Sequence, residues 1–481
     1  MERQLYLGGR FVGGGEVGGG EVGGGEVREI RAPWDGAVVS RVHQASWAQL
    51  DEALALAFRS RRELWTAPAG ARRMLCQAIA DGIRARSTEL AEVICAEAGK
   101  PIGTAQAEVA RAIWTFALAA GVATEDQGAL VPVDLDDAHR GYLGLSRQVP
   151  SGVVVGISPF NFPLNLAAHK VAPALAIGAP IILKPPPQAP SAALILAEIA
   201  LAAGAPPAAL QVAACSNELA ERLAVDPRVA VVSFTGSARV GWQLKTRVPR
   251  ARVVLELGGN AAAVIAEDAD FDRALERVAL AGYVYSGQVC ISVQRIFVER
   301  ALHPRFMEGL RRKVASYQVA DPRAAGTVVG PLIDEAAALR IEGWLREAVA
   351  AGASVEGGAR AGNRLQPAIV EGAPRDSKVV REEVFGPVVV VEPYDDFERA
   401  LEAVNQGDYG LQAGIFTHDL RKVRRAWEVL EVGGVIGNDA PTFRADNMPY
   451  GGVKGSGLGR EGVRLAAAEL CEPRLLVLGP G

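Results

Sequence analysis

Apolar positions recur at helical spacing early in the chain. Between Trp47 and Ala120, segments such as Glu52 to Phe58 and Met74 to Ala80 carry them at three- and four-residue intervals, the stripe of an amphipathic helix. The pattern breaks from Gly128 to Leu145, where Asp134, Asp136, Asp137 and Arg140 intervene, and predicts an extended arm. After Val149 short β-branched runs take over: Val153 to Ile157, Ile181 to Leu183, Gln211 to Ala213, Val229 to Phe234 and Val253 to Leu255. Helical segments separate them, at Leu164 to Ile177, Ser191 to Ala203, Glu218 to Ala224 and Ala238 to Lys245. Strand and helix in alternation predict βαβ units and a parallel sheet covered on both faces, which explains strands that are apolar on both sides.

The alternation resumes after Gly259, with strands expected at Ala261 to Ile265, Ile296 to Val298, Val388 to Val391 and Ala413 to Thr417. Helices are expected at Phe271 to Gly282, His303 to Tyr317 and Leu420 to Leu430, so a second α/β domain follows. At the start, Leu5 to Phe11 and Val27 to Arg31 read as the two strands of a hairpin around three tandem GGGEV copies, Gly13 to Val27. Such glycine density favours a surface loop. At the end, Arg474 to Leu478 reads as an apolar terminal strand in need of a partner edge, which a second subunit would supply.

Composition narrows the class. The 481 residues are 49% hydrophobic and 22% charged with net charge −4, so two or three soluble domains with large cores are expected. Acids and bases are interspersed, against a nucleic-acid footprint or a polybasic membrane anchor. The apolar stretch from Ala192 to Leu210 is broken by Glu198, Pro206 and Pro207, which a membrane span tolerates poorly. Five scattered cysteines without a C-x-x-C pair argue against a disulfide framework or a structural metal site and for a reducing, cytoplasmic setting.

The candidate chemistry lies where strands end. Cys290, in Gly287-Gln288-Val289-Cys290-Ile291-Ser292, falls between a helical run and a strand. It reads as a nucleophile or as a small core residue. No histidine shares a recurring spacing with it, against a cysteine protease. Glu256 ends a strand before Gly258 and Gly259; it is a general base if desolvated, or a surface acid. Asn161, between Pro159 and Pro163, is an amide donor or a turn former. Thr235-Gly236-Ser237 joins a strand to a helix, a place where backbone N–H groups bind phosphate or where Ser237 merely caps. Glycine triplets at Gly13, Gly15, Gly18 and at Gly457, Gly459, Gly462 match G-x-G-x-x-G but join no clear strand to a helix. Lys184 ends another strand, facing the ligand crevice of a parallel sheet or solvent. Glu383 opens a further strand and reads as a sugar-binding acid or surface charge.

Together these segments resemble the aldehyde dehydrogenase superfamily. PFNFP, LKP, FTGS, LELGG, GQVC, EEVFGPV and PYGGVKGSG occur in family order from Pro159 to Gly457. The resemblance implies an α/β fold with a Rossmann-like cofactor domain (1–131 and 151–255), an α/β catalytic domain (256–446), and a β oligomerisation arm with a C-terminal segment (132–150 and 447–481). It implies a homodimer or homotetramer that oxidises an aldehyde to a carboxylic acid with NAD or NADP. Cys290 would form a thiohemiacetal and then a thioester, Asn161 would hold the oxyanion, and Glu256 would activate water. Lys184 would contact the adenosine ribose, Gly236 and Ser237 the pyrophosphate, and Glu383 the nicotinamide ribose, with Phe385 and Phe160 beside it. By the same analogy Phe162, His169, Val289, Ile291 and Arg444 line the aldehyde tunnel, where Arg444 either pairs with a substrate anion or is solvated.

Two residues depart from the pattern. Phe160 stands where many members have Trp, and Pro187 where many NAD-selective members have a Glu that binds the adenosine ribose and repels a 2′-phosphate. Pro187 does neither, so NADP is expected to be tolerated or preferred. Competing readings are a CoA-acylating relative, which the retained Glu256 disfavours, a non-catalytic relative of the fold, and a thioesterase-like hydrolase, which the cofactor-site residues disfavour.

Overall fold

The computed structural model describes residues 1–14, 25–125 and 128–480. Most of the GGGEV repeat, including Gly15 and Gly18 of its glycine triplet, lies outside the described residues.

Four helices, Trp47–Thr66, Ala69–Ala85, Ser87–Ala98 and Ile102–Val122, account for the early helical pattern. The first opens with a capping box in which Ser46 and Gln49 satisfy each other's backbone N–H. The first large sheet has eight strands, in the order Gly457–Leu458, Arg252–Glu256, Val229–Thr235, Val153–Ile157, Ile181–Lys184, Leu210–Val212, Leu5–Leu7, Arg10–Val12. Its five central strands are parallel and the flanking ones antiparallel. The winding direction reverses between Val153–Ile157 and Val229–Thr235. A crevice therefore opens beyond the carboxyl ends of those two strands, the usual ligand position in a doubly wound sheet. Helix Asn165–Ile177 packs in this core with every residue buried and ends at Gly178 with φ +79°. A Cβ there would lie 2.5 Å from the Leu64 carbonyl oxygen, so only glycine fits.

The second large sheet has seven strands, ordered Ser354–Gly357, Ala368–Glu371, Val388–Tyr394, Val293–Glu299, Ala261–Ile265, Gln412–Phe416, Gly434–Gly437. All neighbours pair in parallel except the first two. A three-stranded antiparallel sheet joins Cys471–Leu478 to Leu143–Pro150 and Gly128–Val131. The expected arm and terminal strand thus find each other within one chain. Among the described residues no strand pairs with the outer edge of Cys471–Leu478, and Leu475, Leu476, Val477 and Leu478 are exposed.

The N-terminal pairing differs from the expected one. Leu5–Leu7 turns back on Arg10–Val12 through Gly8 and Gly9, both with positive φ, a two-residue hairpin turn. Val27–Arg31 pairs instead with Val38–His43, which also takes Glu2–Arg3. A two-glycine turn had offered a closer partner than a strand across the repeat. The C-terminal segment also does more than extend the arm: Gly457–Leu458 edges the first sheet, and Val453–Lys454 pairs with Tyr409–Gly410.

Candidate active site

Cys290 lies on the loop between helix Phe271–Tyr283 and strand Val293–Glu299. The loop is entered through Tyr285 and Ser286, both at positive φ (53° and 56°), a conformation that costs about 1–3 kcal/mol per residue. Their side chains hold them there: the Tyr285 hydroxyl donates to the Ala98 carbonyl at 3.1 Å and Ser286 to that of Gly330 at 2.8 Å. Gly259 touches the loop from behind, and a Cβ on it would lie 2.3 Å from the Cys290 carbonyl oxygen. Cys290 is half-buried beside Val289, Ile291, Leu411 and Tyr450. Its Sγ is 2.9 Å from the Tyr450 hydroxyl.

Asn161 follows strand Val153–Ile157 at the reversal point. It is buried and donates one amide N–H to the Gln288 carbonyl at 3.0 Å, tying its own loop to the cysteine loop. Glu256 ends strand Arg252–Glu256 and is buried with neither carboxyl oxygen hydrogen-bonded. Beside it runs a web of buried charge. Lys170 donates to Ser233 and Thr235 and contacts Glu461 at 3.4 Å; Arg444 donates to Glu461 at 2.8 Å and stacks 3.6 Å over the Tyr450 ring. His169 and Arg111 both bind Asp446, at 2.9 and 2.6 Å.

These surroundings set the protonation states. Burial pushes the Cys290 thiol up to about 11, against the pull of Tyr450 and Arg444. Burial, then the charge of Glu461, raises the Glu256 carboxyl well above the usual carboxylate range. Burial also opposes ionisation of Glu461, but Lys170 and Arg444 outweigh it and hold that group at about 2. Of this pair of acids Glu461 therefore carries the charge and Glu256 the proton. Burial lowers His169 and, despite the Gly259 N–H, raises Glu383 to about 7.

The cofactor candidates line the crevice. Lys184 ends its strand buried, donating to Asn217 at 3.1 Å, which removes the solvated reading. Ser237 is the N-cap of helix Ala238–Arg247, exposed, and its side chain makes no capping bond. Gly236 donates its N–H to the Glu256 carbonyl at 3.1 Å. Pro187 sits half-buried in the turn three residues past Lys184. From the second sheet, Glu383 accepts from Gly259 N–H at 3.0 Å, and a Cβ on Gly258 would strike its carboxylate. Phe385, at φ +48°, sets its ring edge-on to Phe160 at 6.0 Å. An uncapped helix start, a glycine beneath it and a carboxylate across the crevice fit a dinucleotide.

Among the substrate candidates, Val289 and Ile291 flank the thiol. Phe162 lies under the Lys100 ammonium at 3.5 Å, His169 is buried against Asp446, and Arg444 is buried rather than solvated. Sequence reasoning missed Tyr450, Glu461, Lys170 and Asp446. Tyr450 stands inside the PYGGVKGSG motif, where the flanking proline and glycines give no sign of its contact with the thiol, and the other three have no sequence neighbour that marks them as paired. No group of three or more His, Cys, Asp or Glu suited to a metal occurs among the described residues, and no helix there is long and apolar enough to cross a membrane.

A doubly wound sheet whose strand ends gather a thiol, a buried carboxyl and an uncapped helix start fits the class of dinucleotide-dependent oxidoreductases. The chain belongs to the aldehyde dehydrogenase family, whose model matches residues 22–476, and it oxidises aldehydes to acids with NAD or NADP. It is 42% identical over 401 residues to 3-sulfolactaldehyde dehydrogenase of Priestia megaterium, covering 83% of this chain and 84% of that one. It is 35% identical to lactaldehyde dehydrogenase of Methanocaldococcus jannaschii, covering 93% and 96%. Aldehyde dehydrogenase 21 of Physcomitrella patens, in complex with the reaction product succinate, superposes with TM-score 0.95 at 37% identity, covering 99% and 98%. Glyceraldehyde-3-phosphate dehydrogenase GapN of M. jannaschii, complexed with NADP, superposes at 0.90 with 34% identity, covering 94% and 99%.

Proposed function

We propose that Cys290 is the nucleophile, with Asn161 and the Cys290 backbone N–H as oxyanion donors and Glu256 as general base. The observation that carries this reading is the meeting of the three groups at the carboxyl end of the first sheet, with Asn161 bonded to the cysteine loop itself. The half-buried thiol gives up its proton to solvent, sulfur bonds to the aldehyde carbon, and the carbonyl π pair moves to oxygen. Asn161 has a second amide N–H for that oxygen, and one such donor is worth roughly 3–4 kcal/mol. The bound nicotinamide supplies hydride acceptance. What remains on Cys290 is a thioester, and Glu256, once ionised, takes a proton from the water that hydrolyses it. Water, rather than CoA, is the acceptor in this reading. Residues 1–131 and 151–255 form the cofactor unit and 256–446 the catalytic unit, with Lys184, Gly236 and Ser237 along the adenosine and pyrophosphate and Glu383, Phe385 and Phe160 at the nicotinamide end. The outer edge of Cys471–Leu478 supports assembly into a homodimer or homotetramer, and the free thiols fit a reducing cytoplasm.

NADP is accepted alongside NAD, because Pro187 presents no carboxylate to a 2′-phosphate. Wild-type enzyme is expected to have kcat/KM with NADP at least comparable to that with NAD. Pro187→Glu is expected to shift the ratio toward NAD about tenfold or more, one repelled charge being worth about 1.4 kcal/mol at partly screened range. A strong wild-type preference for NAD in steady-state kinetics sinks the idea.

The substrate is a short polar aldehyde, favoured when it carries an anion. Sulfonated, hydroxylated and phosphorylated three-carbon aldehydes name the relatives, and Arg444, with its Nε lacking a partner among the described residues, supplies positive charge near the thiol. For four-carbon aldehydes with and without a terminal carboxylate, kcat/KM is expected to favour the acid by about tenfold, the scale of one charge-assisted hydrogen bond. Equal values for the two would remove the anion from this reading.

A further inference from the structure

The Cys290 sulfur has one polar side-chain neighbour, and it is a phenol. Tyr450 is buried, and its hydroxyl ends 2.9 Å from Sγ with no other side chain in hydrogen-bond reach among the described residues. The ring is clamped. Tyr450 and Glu461 exchange backbone hydrogen bonds at 3.0 and 2.6 Å, and the Glu461 side chain holds Arg444, which lies flat over the ring. A buried phenol needs a partner, and here the partner is the reacting atom.

We propose that Tyr450 is a catalytic residue of the acylation half-reaction, its phenolic O–H donating a hydrogen bond to the Cys290 thiolate and holding that sulfur ionised and aimed until it attacks the aldehyde. This rests on Cys290 being the nucleophile. The direction of the bond follows from relative acidity. Burial raises the Tyr450 phenol well above its ordinary range, with the neighbouring Cys290 adding to the rise, whereas the thiol stands at about 11. Sulfur therefore loses its proton first and the phenol keeps its own throughout. As the S–C bond forms, the sulfur charge moves through carbon to the carbonyl oxygen. The phenol's bond then weakens, because a thioether sulfur is a poor acceptor. Arg444 acts through Tyr450 as a positioning residue.

Two opposing effects decide whether such a bond helps. Lowering a thiol's pKa by one unit raises the thiolate fraction tenfold at neutral pH and costs about threefold in nucleophilicity. The net gain is about threefold per unit, and a hydrogen bond to a charged group is worth about one to two units.

The test is alkylation of Cys290 by iodoacetamide in the cofactor-free Tyr450→Phe enzyme, followed by the mass of the Cys290 peptide. At pH 8 the variant is expected to react about 3–10-fold more slowly than wild type, and the deficit is expected to persist at pH 10, which still lies below the range of the thiol. The pre-steady-state burst of reduced cofactor slows by the same factor. Phenylalanine keeps the ring and its stacking on Arg444, and loss of one oxygen opens the approach to sulfur. A packing role therefore predicts equal or faster alkylation, and that result overturns the proposal. Failure of the nucleophile reading is separable: Cys290→Ala enzyme that still oxidises aldehydes overturns that reading whatever Tyr450→Phe does.

Discussion

Cys290→Ala is expected to lower kcat for aldehyde oxidation by about 10⁴-fold or more, the scale of removing a covalent nucleophile. Binding of NAD or NADP and the thermal midpoint should remain close to wild type. The geometry makes this a clean substitution. Cys290 is half-buried on a loop whose shape is fixed by Tyr285, Ser286 and Gly287, not by its own side chain. Its thiol makes one polar contact, to Tyr450, and packs lightly against Val289 and Ile291. The Asn161–Gln288 bond and the Gly259 contact use other groups, so the crevice keeps its form. The measurement is reduced-nicotinamide absorbance over a panel of short aldehydes with each cofactor, beside cofactor titration and a melting curve. Residual turnover within tenfold of wild type would leave the other four cysteines to be considered, and all four are buried.

The fold was legible where the chain obeys one period. Val153–Ile157 and Val229–Thr235 announce themselves as strands because both faces are covered and every position is apolar or small, and helix Asn165–Ile177 is equally plain. Pairing was less legible. Nothing in Val27–Arg31 says that it prefers Val38–His43 to Leu5–Leu7, since the choice depends on a turn closing at Gly8 and Gly9. Among the proposed site residues, Cys290, Glu256 and Asn161 stand out in the sequence because each lies near an element end with glycine or proline close by. The residues that tune them do not. Lys170, Glu461 and Tyr450 act by proximity in space, with the two members of one ion pair 291 positions apart. A lysine inside a buried helix was a signal that could have been read, because an ammonium there demands a partner.

That charge web bears on the second half-reaction. Glu461 carries the negative charge, held down by Lys170 and Arg444, and so keeps a proton on Glu256. In the proposed mechanism, a neutral Glu256 offers no negative charge to repel the thiolate or the developing oxyanion while Cys290 is acylated, and hydrolysis waits for Glu256 to ionise. On that proposal acylation and deacylation draw on opposite protonation states of one residue, and pH separates them.

Glu256→Gln is expected to stop turnover after one cycle. An initial burst of about one equivalent of reduced cofactor per Cys290 should survive, because the amide keeps the shape of the side chain and adds no charge near sulfur. The steady rate should then fall by about 10²–10⁴-fold, the usual range for loss of a general base. Stability should hold or rise, since the substitution removes a buried acid with no hydrogen-bond partner for either oxygen. In wild type the base form of Glu256 grows as pH rises through its raised range, so a turnover limited by hydrolysis should still climb with pH beyond the usual carboxylate range. An ordinary carboxylate would already have levelled off below pH 6. In Glu256→Gln that limb should vanish. Hydroxylamine, which attacks thioesters without a base, should restore turnover to Glu256→Gln and leave Cys290→Ala inactive. A Glu256→Gln enzyme with an undiminished steady rate would reassign the base. Acid formed only when CoA is added would replace water with CoA as the acceptor.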